Sequence, residues 1–469
     1  MGEQPASPIG AEAEPTRLQL AVIAAVAVPL AGAGLPLAVY LPAFYAQDLG
    51  LGLGVVGAVF MLTRLWDIVS DPLVGYLSDR TRTRIGRRKP WIIAGAPVFG
   101  LATAAIFEPA WFGVKPGALW LALWLSAFYL GWTMIQTPLA AWAGALSSRY
   151  HGRSRVQTFF HVTTAVGLLS VLILPALLDQ TGHGRAGVGA LKVAVMGGFI
   201  LATFVPTVLA ALLLVPEPDP TAGRPVNAPV NAPLNAKGVA AALRDPLLLK
   251  ILASDFAVTL GQLIRSSLFV FFVAAYMGRP DLTAALFLLQ FVFGVFAGPI
   301  WLQIGYRLGK HRTAVAGELV QMAINLALLA VTRETLPLLI GLTVAQGLAQ
   351  GSGNLMLRSM VSDVADLQRL SSGEERTGLL FSMFSLSGKF ATGVAVGVAL
   401  PLVGLLGFRP GHANAPDVLF GLKLVFALGP ALAHLASALL IRRFPLDQSR
   451  HADVRRALET SALPFAPAE

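Results

Sequence analysis

Three ionisable residues crowd into one short stretch, Arg64-Leu65-Trp66-Asp67-Ile68-Val69-Ser70-Asp71-Pro72, inside an apolar run from about Leu51 to Leu77. On a helix, Asp67 and Asp71 lie one turn apart on one face, and Arg64 precedes Asp67 by three on the same side. Near a bilayer centre each such group costs about 2.5–3.5 kcal/mol, so they must face a bundle interior or an aqueous cavity. A buried ion pair that only locks two helices is the bland alternative. Arg64 neutralises one carboxylate, however, and leaves the other in need of a cation or a proton.

Other polar groups in apolar runs point the same way. Thr133 and Gln136 sit about one turn apart ahead of Pro138. Thr133 beside the two aspartates would complete an all-oxygen set suited to a small hard cation; the same carboxylates could instead exchange protons, burial favouring their neutral forms. His161 follows Arg149, Arg153 and Arg155 and either carries a proton, touches solute or bonds a neighbouring helix. Arg265 lies deep in a later run and should face the pathway, whereas Asp255, ten residues earlier, reads as solvated or gate-closing. Lys389 has no other charge within ten residues on either side, and a cavity-facing role fits it. Asp79, Arg84 and Arg87 in one basic loop, and Asp363, Asp366 and Arg376 in a later segment, form a candidate cytoplasmic gate across which pairs would break and remake. Singly, exposed pairs contribute under about 1 kcal/mol.

The elements that must hold these groups are membrane helices. Of 469 residues 55% are hydrophobic and 13% charged, about half the charge usual in a soluble domain. Mean hydropathy is +0.68. Apolar segments fall near 19–44, 51–77, 90–109, 118–145, 158–179 and 191–215, then 248–276, 283–305, 313–331, 335–361, 377–406 and 417–441. Each reaches or approaches the ~20 residues needed to cross a bilayer. The expectation is an all-α integral membrane protein with twelve transmembrane helices. Two six-helix bundles, 18–215 and 248–445, flank a Pro-rich central loop over 216–247, with cytoplasmic tails at 1–17, read as disordered, and 446–469.

Charge placement sets the orientation. Of 35 Lys and Arg residues, 25 fall on the side of the termini and central loop and 7 on the other, with Arg64, Arg265 and Lys389 within spans. That split predicts both termini on the cytoplasmic side. Residues 1–17 carry no basic n-region and do not read as a signal peptide. The basic turn Gly75 to Lys89 recurs in character at Gly298 to Arg312, at the same point of the second half, a repetition expected of rocking transporters. The net charge of +10 thus reports topology, not nucleic-acid binding. With no cysteine, no nucleotide-binding loop and no HExxH, an enzyme is not expected and no cofactor is implied.

From about Gln19 to Pro445 the chain resembles the major facilitator superfamily, and within it the glycoside–pentoside–hexuronide:cation symporters that include the melibiose carriers. Arg64 to Pro72, the Gly75–Lys89 loop and Asp363/Asp366 through Gly378 to Lys389 carry the resemblance, with a weaker match at Arg443-Phe444-Pro445-Leu446. It implies the major facilitator fold, with Asp67 and Asp71 at the cation-binding carboxylates, Thr133 near them and Lys389 as the eleventh-helix lysine. The sugar-binding positions depart. Ala31-Gly32-Ala33-Gly34 carries no charge where melibiose carriers have an aspartate, Gln136 and Ala140 replace an aspartate and a tryptophan, and His161 replaces an arginine.

The expected activity is secondary active transport in the cytoplasmic (inner) membrane: symport of a sugar, glycoside or uronide-like solute coupled to H⁺ or Na⁺, by a chain functional as a monomer. Asp67 is the leading coupling group, Asp71 its co-ligand or relay, Arg64 the group that replaces the cation, and Lys389 the link to the second half. Loss of the sugar-binding acids leaves two alternatives, proton-driven export of an amphipathic compound and a non-transporting receptor or assembly factor on the same fold.

Overall fold

Within a bilayer the backbone has only itself to bond to, so long apolar runs close their hydrogen bonds as helices. The computed structural model describes residues 15–146, 150–180, 189–217, 243–372 and 377–461, and among them it is all helix apart from one bridge, Thr83 to Gly86. The first half comprises α1 (Arg17–Gln47), α2 (Leu53–Arg80), α3 (Lys89–Phe107), α4 (Ala118–Ala145), α5 (Tyr150–Gln180) and α6 (Ala190–Leu214). The second comprises α7 (Pro246–Tyr276), α8 (Thr283–Leu308), α9 (Lys310–Ala327), α10a (Leu336–Ala349) with α10b (Ser352–Ser372), α11 (Thr377–Leu405) and α12 (Pro416–Ile441). Among the described residues, eleven helices are long and apolar enough to cross a membrane.

The tenth segment departs from expectation. The apolar pattern predicts one helix over 335–361, but Gln350 turns to an extended conformation and Gly351 takes φ +80°, a left-handed geometry that favours glycine. The helix restarts at Ser352 as a far more polar stretch. At 1.5 Å per residue, fourteen-residue α10a is only about 21 Å long, short of the ~30 Å hydrocarbon core. The other half-to-half echo is conformational. A π turn interrupts α1 at Pro36–Tyr40, and another ends α7 at Phe272–Tyr276.

The stretch read as a C-terminal tail contains a helix. A further helix, α13 (Gln448–Ser461), lies against α10b and buries Val454.

The halves meet mainly at the end away from the basic α2–α3 loop. There the α1 π turn meets α7, α5 meets α8, and α2 runs antiparallel to α11. One hydrophobic core joins both halves at that end through residues such as Tyr40, Phe44, Phe60, Phe269 and Phe408. A second core, around Leu248, Met356, Leu380 and Phe444, belongs to the second half alone. Gly57, Gly393 and Gly397 let α2 and α11 nearly touch: Cβ atoms on these residues would sit 2.7 Å from Pro401 Cδ, 3.0 Å from Arg64 Cβ and 2.7 Å from Met61 Cβ. Small residues are the usual means of bringing membrane helices into close contact.

At the basic end, Glu217 accepts the backbone N–H groups of Arg87, Arg88 and Lys89, placing an anion on the α3 N-terminus. Lys89 Nζ returns the tie by donating to the Leu212 carbonyl at 2.9 Å. Glu217→Ala is expected to cost about 1–2 kcal/mol, as lost helix caps do, and to lower the midpoint of thermal unfolding in detergent. An unchanged midpoint would show that water replaces the carboxylate without loss.

Candidate functional site

The site forms where α2, α4 and α11 converge. Helical spacing puts Asp67 and Asp71 on one face of α2, and two other helices supply groups to them. From α4, Thr133 Oγ1 donates to Asp71 Oδ1 at 2.6 Å and reaches Asp67 Oδ1 at 3.3 Å. From α11, Lys389 Nζ lies 3.3 Å from Asp67 Oδ2 and also bonds Asp71 Oδ2. Within α2, Arg64 Nη1 lies 3.1 Å from Asp67 Oδ2, and its guanidinium stacks 4.3 Å over the Tyr129 ring. The sequence placed Tyr129 in the same span as Thr133 and Gln136 but gave it no role.

Two cations therefore balance two carboxylates. The aspartate environments differ: the Asp67 side chain is 5% exposed and the Asp71 and Lys389 side chains 29% each, so the site is more accessible on its Asp71–Lys389 side. The oxygen set of Asp67, Asp71 and Thr133 suits a hard cation by donor chemistry. Among the described residues no group of three or more His, Cys, Asp or Glu side chains forms a metal cluster. A cavity of about 700 Å³ between α3 and α6 is apolar and holds none of these carboxylates.

The remaining predicted residues spread out. Gln136 is exposed and accepts from Trp132 Nε1 on its own helix. His161 is exposed on α5. Arg265 turns into the second half, donating to Gln346 Oε1 at 2.8 Å and approaching Asn325 Oδ1 at 3.4 Å. Asp255 is buried, not solvated, and accepts from Asn354 Nδ2 at 3.0 Å.

In the gate segment, Asp363 binds Lys310, while Asp366 bonds His451 and lies 3.8 Å from Arg455, both on α13. In this state the two aspartates thus turn to their own half rather than across to the first. Arg84 is exposed. The Arg87 backbone N–H goes to Glu217. Arg376 and the side chain of Asp79 lie outside the described residues.

Sequence reasoning also missed Glu318 on α9 and His434 on α12, buried together with Oε2 and Nδ1 2.6 Å apart. Each is an ionisable group within an apolar run, though with basic residues within ten positions, Arg312 before Glu318 and Arg442 after His434, so neither stands as isolated as Lys389.

A model of the family described as MFS/sugar transport protein matches residues 22–448. The putative glycoside/cation symporter YagG of Escherichia coli (strain K12) is 24% identical over 424 residues, covering 88% of this chain and 89% of the relative. The glucuronide carrier protein homolog of the same organism is also 24% identical, over 89% of this chain and 90% of its own length. The crystal structure of the nucleoside transporter NupG (D323A mutant) superposes with a TM-score of 0.69 at 12% identity, over 90% of this chain and 99% of that one, a likeness of fold.

Proposed function

The chain belongs to the MFS/sugar transport protein family and is a multi-pass secondary transporter of a small solute, and from that premise we propose a symporter whose coupling cation or proton binds at Asp67, Asp71 and Thr133. The reading takes twelve spans in two six-helix halves, α10a and α10b together forming the tenth. The basic end is cytoplasmic on this reading, so the described state opens inward. One observation carries the proposal: Lys389 of the second half reaches both carboxylates of the first.

Charge balance supplies the mechanism. Arg64 and Lys389 already neutralise Asp67 and Asp71, so an incoming cation must displace one of them. Arg64 is held by Asp67 and Tyr129 within the first half, whereas Lys389 belongs to the other half. Cation binding therefore releases α11 from α2, and the ion biases the two arrangements of the halves by its differential affinity for them. A proton on Asp71 would act in the same way, removing the charge that holds Lys389. Transport is then alternating access by one chain.

The solute class follows from the lost acids. A cavity without the first-helix aspartate, with Gln136 and His161 at the positions that resemble sugar contacts, suits a carboxylated sugar of the uronide kind. The relative named as a glucuronide carrier homolog is in keeping with this choice.

The test is a solute screen in proteoliposomes, with neutral glycosides and uronides offered under separately imposed proton and sodium gradients. A uronide accumulating under one gradient and not the other is the expected outcome. Equilibration without accumulation under both would leave a passive carrier and sink the coupling proposal.

A further inference from the structure

The second half has a polar interior of its own. Glu318 on α9 and His434 on α12 are 0% exposed, and among the described residues their side chains bond only each other. Glu318 Oε1 and His434 Nε2 are buried without a hydrogen-bond partner. A tie that merely fastened α9 to α12 would be made more cheaply by neutral side chains, as Ser254 and Ser437 make one between α7 and α12 at 2.7 Å. An ionisable pair with an open oxygen and an open nitrogen is costly in a membrane bundle and by default marks function.

The pair also has a route to the cavity. The start of α10b presses on Glu318, since a Cβ on Gly353 would lie 2.0 Å from Glu318 Oε1. The next residue, Asn354, donates to Asp255 Oδ1 and accepts from Gln262 Nε2 at 3.1 Å. Asp255 in turn lines a cavity of about 250 Å³ with Asn354, Arg358, Phe381 and Ser385. Its Oδ2 is 3.7 Å from where a Cβ on Gly388 would be, one residue before Lys389.

Most other charges on the packed helices are engaged elsewhere. Lys310 binds Asp363, Lys423 donates to the Val331 carbonyl, and Arg265 bonds amides. Lys250, His311, Arg312 and Arg442 sit at helix ends. Asp255 and Arg358 are left facing the cavity beside the pair.

We propose that Glu318 and His434 form a second, buried proton-binding site, filled from the cavity through Asp255. A proton taken up by the Asp255 carboxylate passes to the pair, which goes from carboxylate and neutral imidazole to a singly protonated pair; Asp255 returns to its anion. The protein then carries two separable ion-responsive centres, one in each half, the second of them specific to protons. This stands apart from the identity of the solute and from the ion bound at Asp67 and Asp71.

The experiment is a pH step applied to proteoliposomes on a solid-supported membrane with no solute present. Asp67→Asn/Asp71→Asn protein, lacking the first site, is expected to retain a transient charge displacement. Adding Glu318→Gln or His434→Gln should reduce it to the protein-free baseline, and adding Asp255→Asn should slow it several-fold while preserving its amplitude. A silent double variant, or a displacement indifferent to Glu318→Gln and His434→Gln, would overturn the proposal. Should neither buried variant fold, an unchanged rate in the Asp255→Asn background overturns it equally.

Discussion

Asp67→Asn is expected to reduce gradient-driven accumulation by about 100-fold or more while leaving solute exchange at equal concentrations largely intact. Asp67 is the most buried acid of the site and touches three partners: Arg64, Lys389 and the Thr133 hydroxyl. At about 4 Å and an effective dielectric of about 20, one carboxylate contributes on the order of 4 kcal/mol to holding a cation. Releasing the competing Arg64 and Lys389 offsets part of that. A remainder of about 2.8 kcal/mol still lowers cation affinity about 100-fold. Exchange survives because Asp71 still pairs with Lys389, so the contact between halves is kept. The measurement is accumulation under the effective gradient against counterflow in the same vesicles. Equal loss of both activities would mean that Asp67 holds the fold or the solute. No loss of either would remove it from the coupling site.

Much of that site was legible because a bilayer makes ionisable side chains conspicuous. Asp67 and Asp71 announced a shared face by their spacing of four, and Lys389 stood alone in an apolar run; the structure brings all three together with Thr133. Direction was harder. Arg265 signals burial by its position, but spacing does not say which neighbour a helix face meets, and it meets the amides of α9 and α10a. Asp363 and Asp366 were read toward the other half because their partner helix, α13, lies in a stretch that composition alone marks as a polar tail. The Gln350–Gly351 break was hidden for the opposite reason: Leu355-Met356-Leu357 just beyond it prolongs the apolar run for a few residues and masks a left-handed turn. Glu318 and His434 lack the isolation that marked Lys389, with Arg312 and Arg442 within ten residues of them, and 116 residues separate them, so only folding makes them a pair.

A disulfide between Leu53→Cys and Gly404→Cys should form on oxidation and abolish transport, with reduction restoring it. The two positions face each other at the closed end of the α2–α11 seam, where a Cβ on Gly404 would lie 3.5 Å from Leu53 Cβ. That is within the 3.5–4.5 Å spanned by disulfides. The parent has no cysteine, so the introduced pair has no competitor and needs no cysteine-free background. From this point the seam continues inward through Gly57 against Pro401, Gly397 against Met61 and Gly393 against Arg64, and ends at the Lys389–Asp71 bond. A cross-link at its far end prevents the halves from parting there, yet leaves the cavity at the basic end as it is. Alternating access demands that this seam open once per cycle, so transport should fall to the level of empty vesicles in the oxidised double variant and to neither extent in the single ones. Gly404→Cys adds a side chain beside Leu53, and the single variant measures that cost separately. Full transport by a completely cross-linked protein would mean that α2 and α11 stay together at this end throughout the cycle. Lys389 would then exchange between its aspartates and a cation without the halves separating there, and the release of α11 as the coupling step would have to be abandoned.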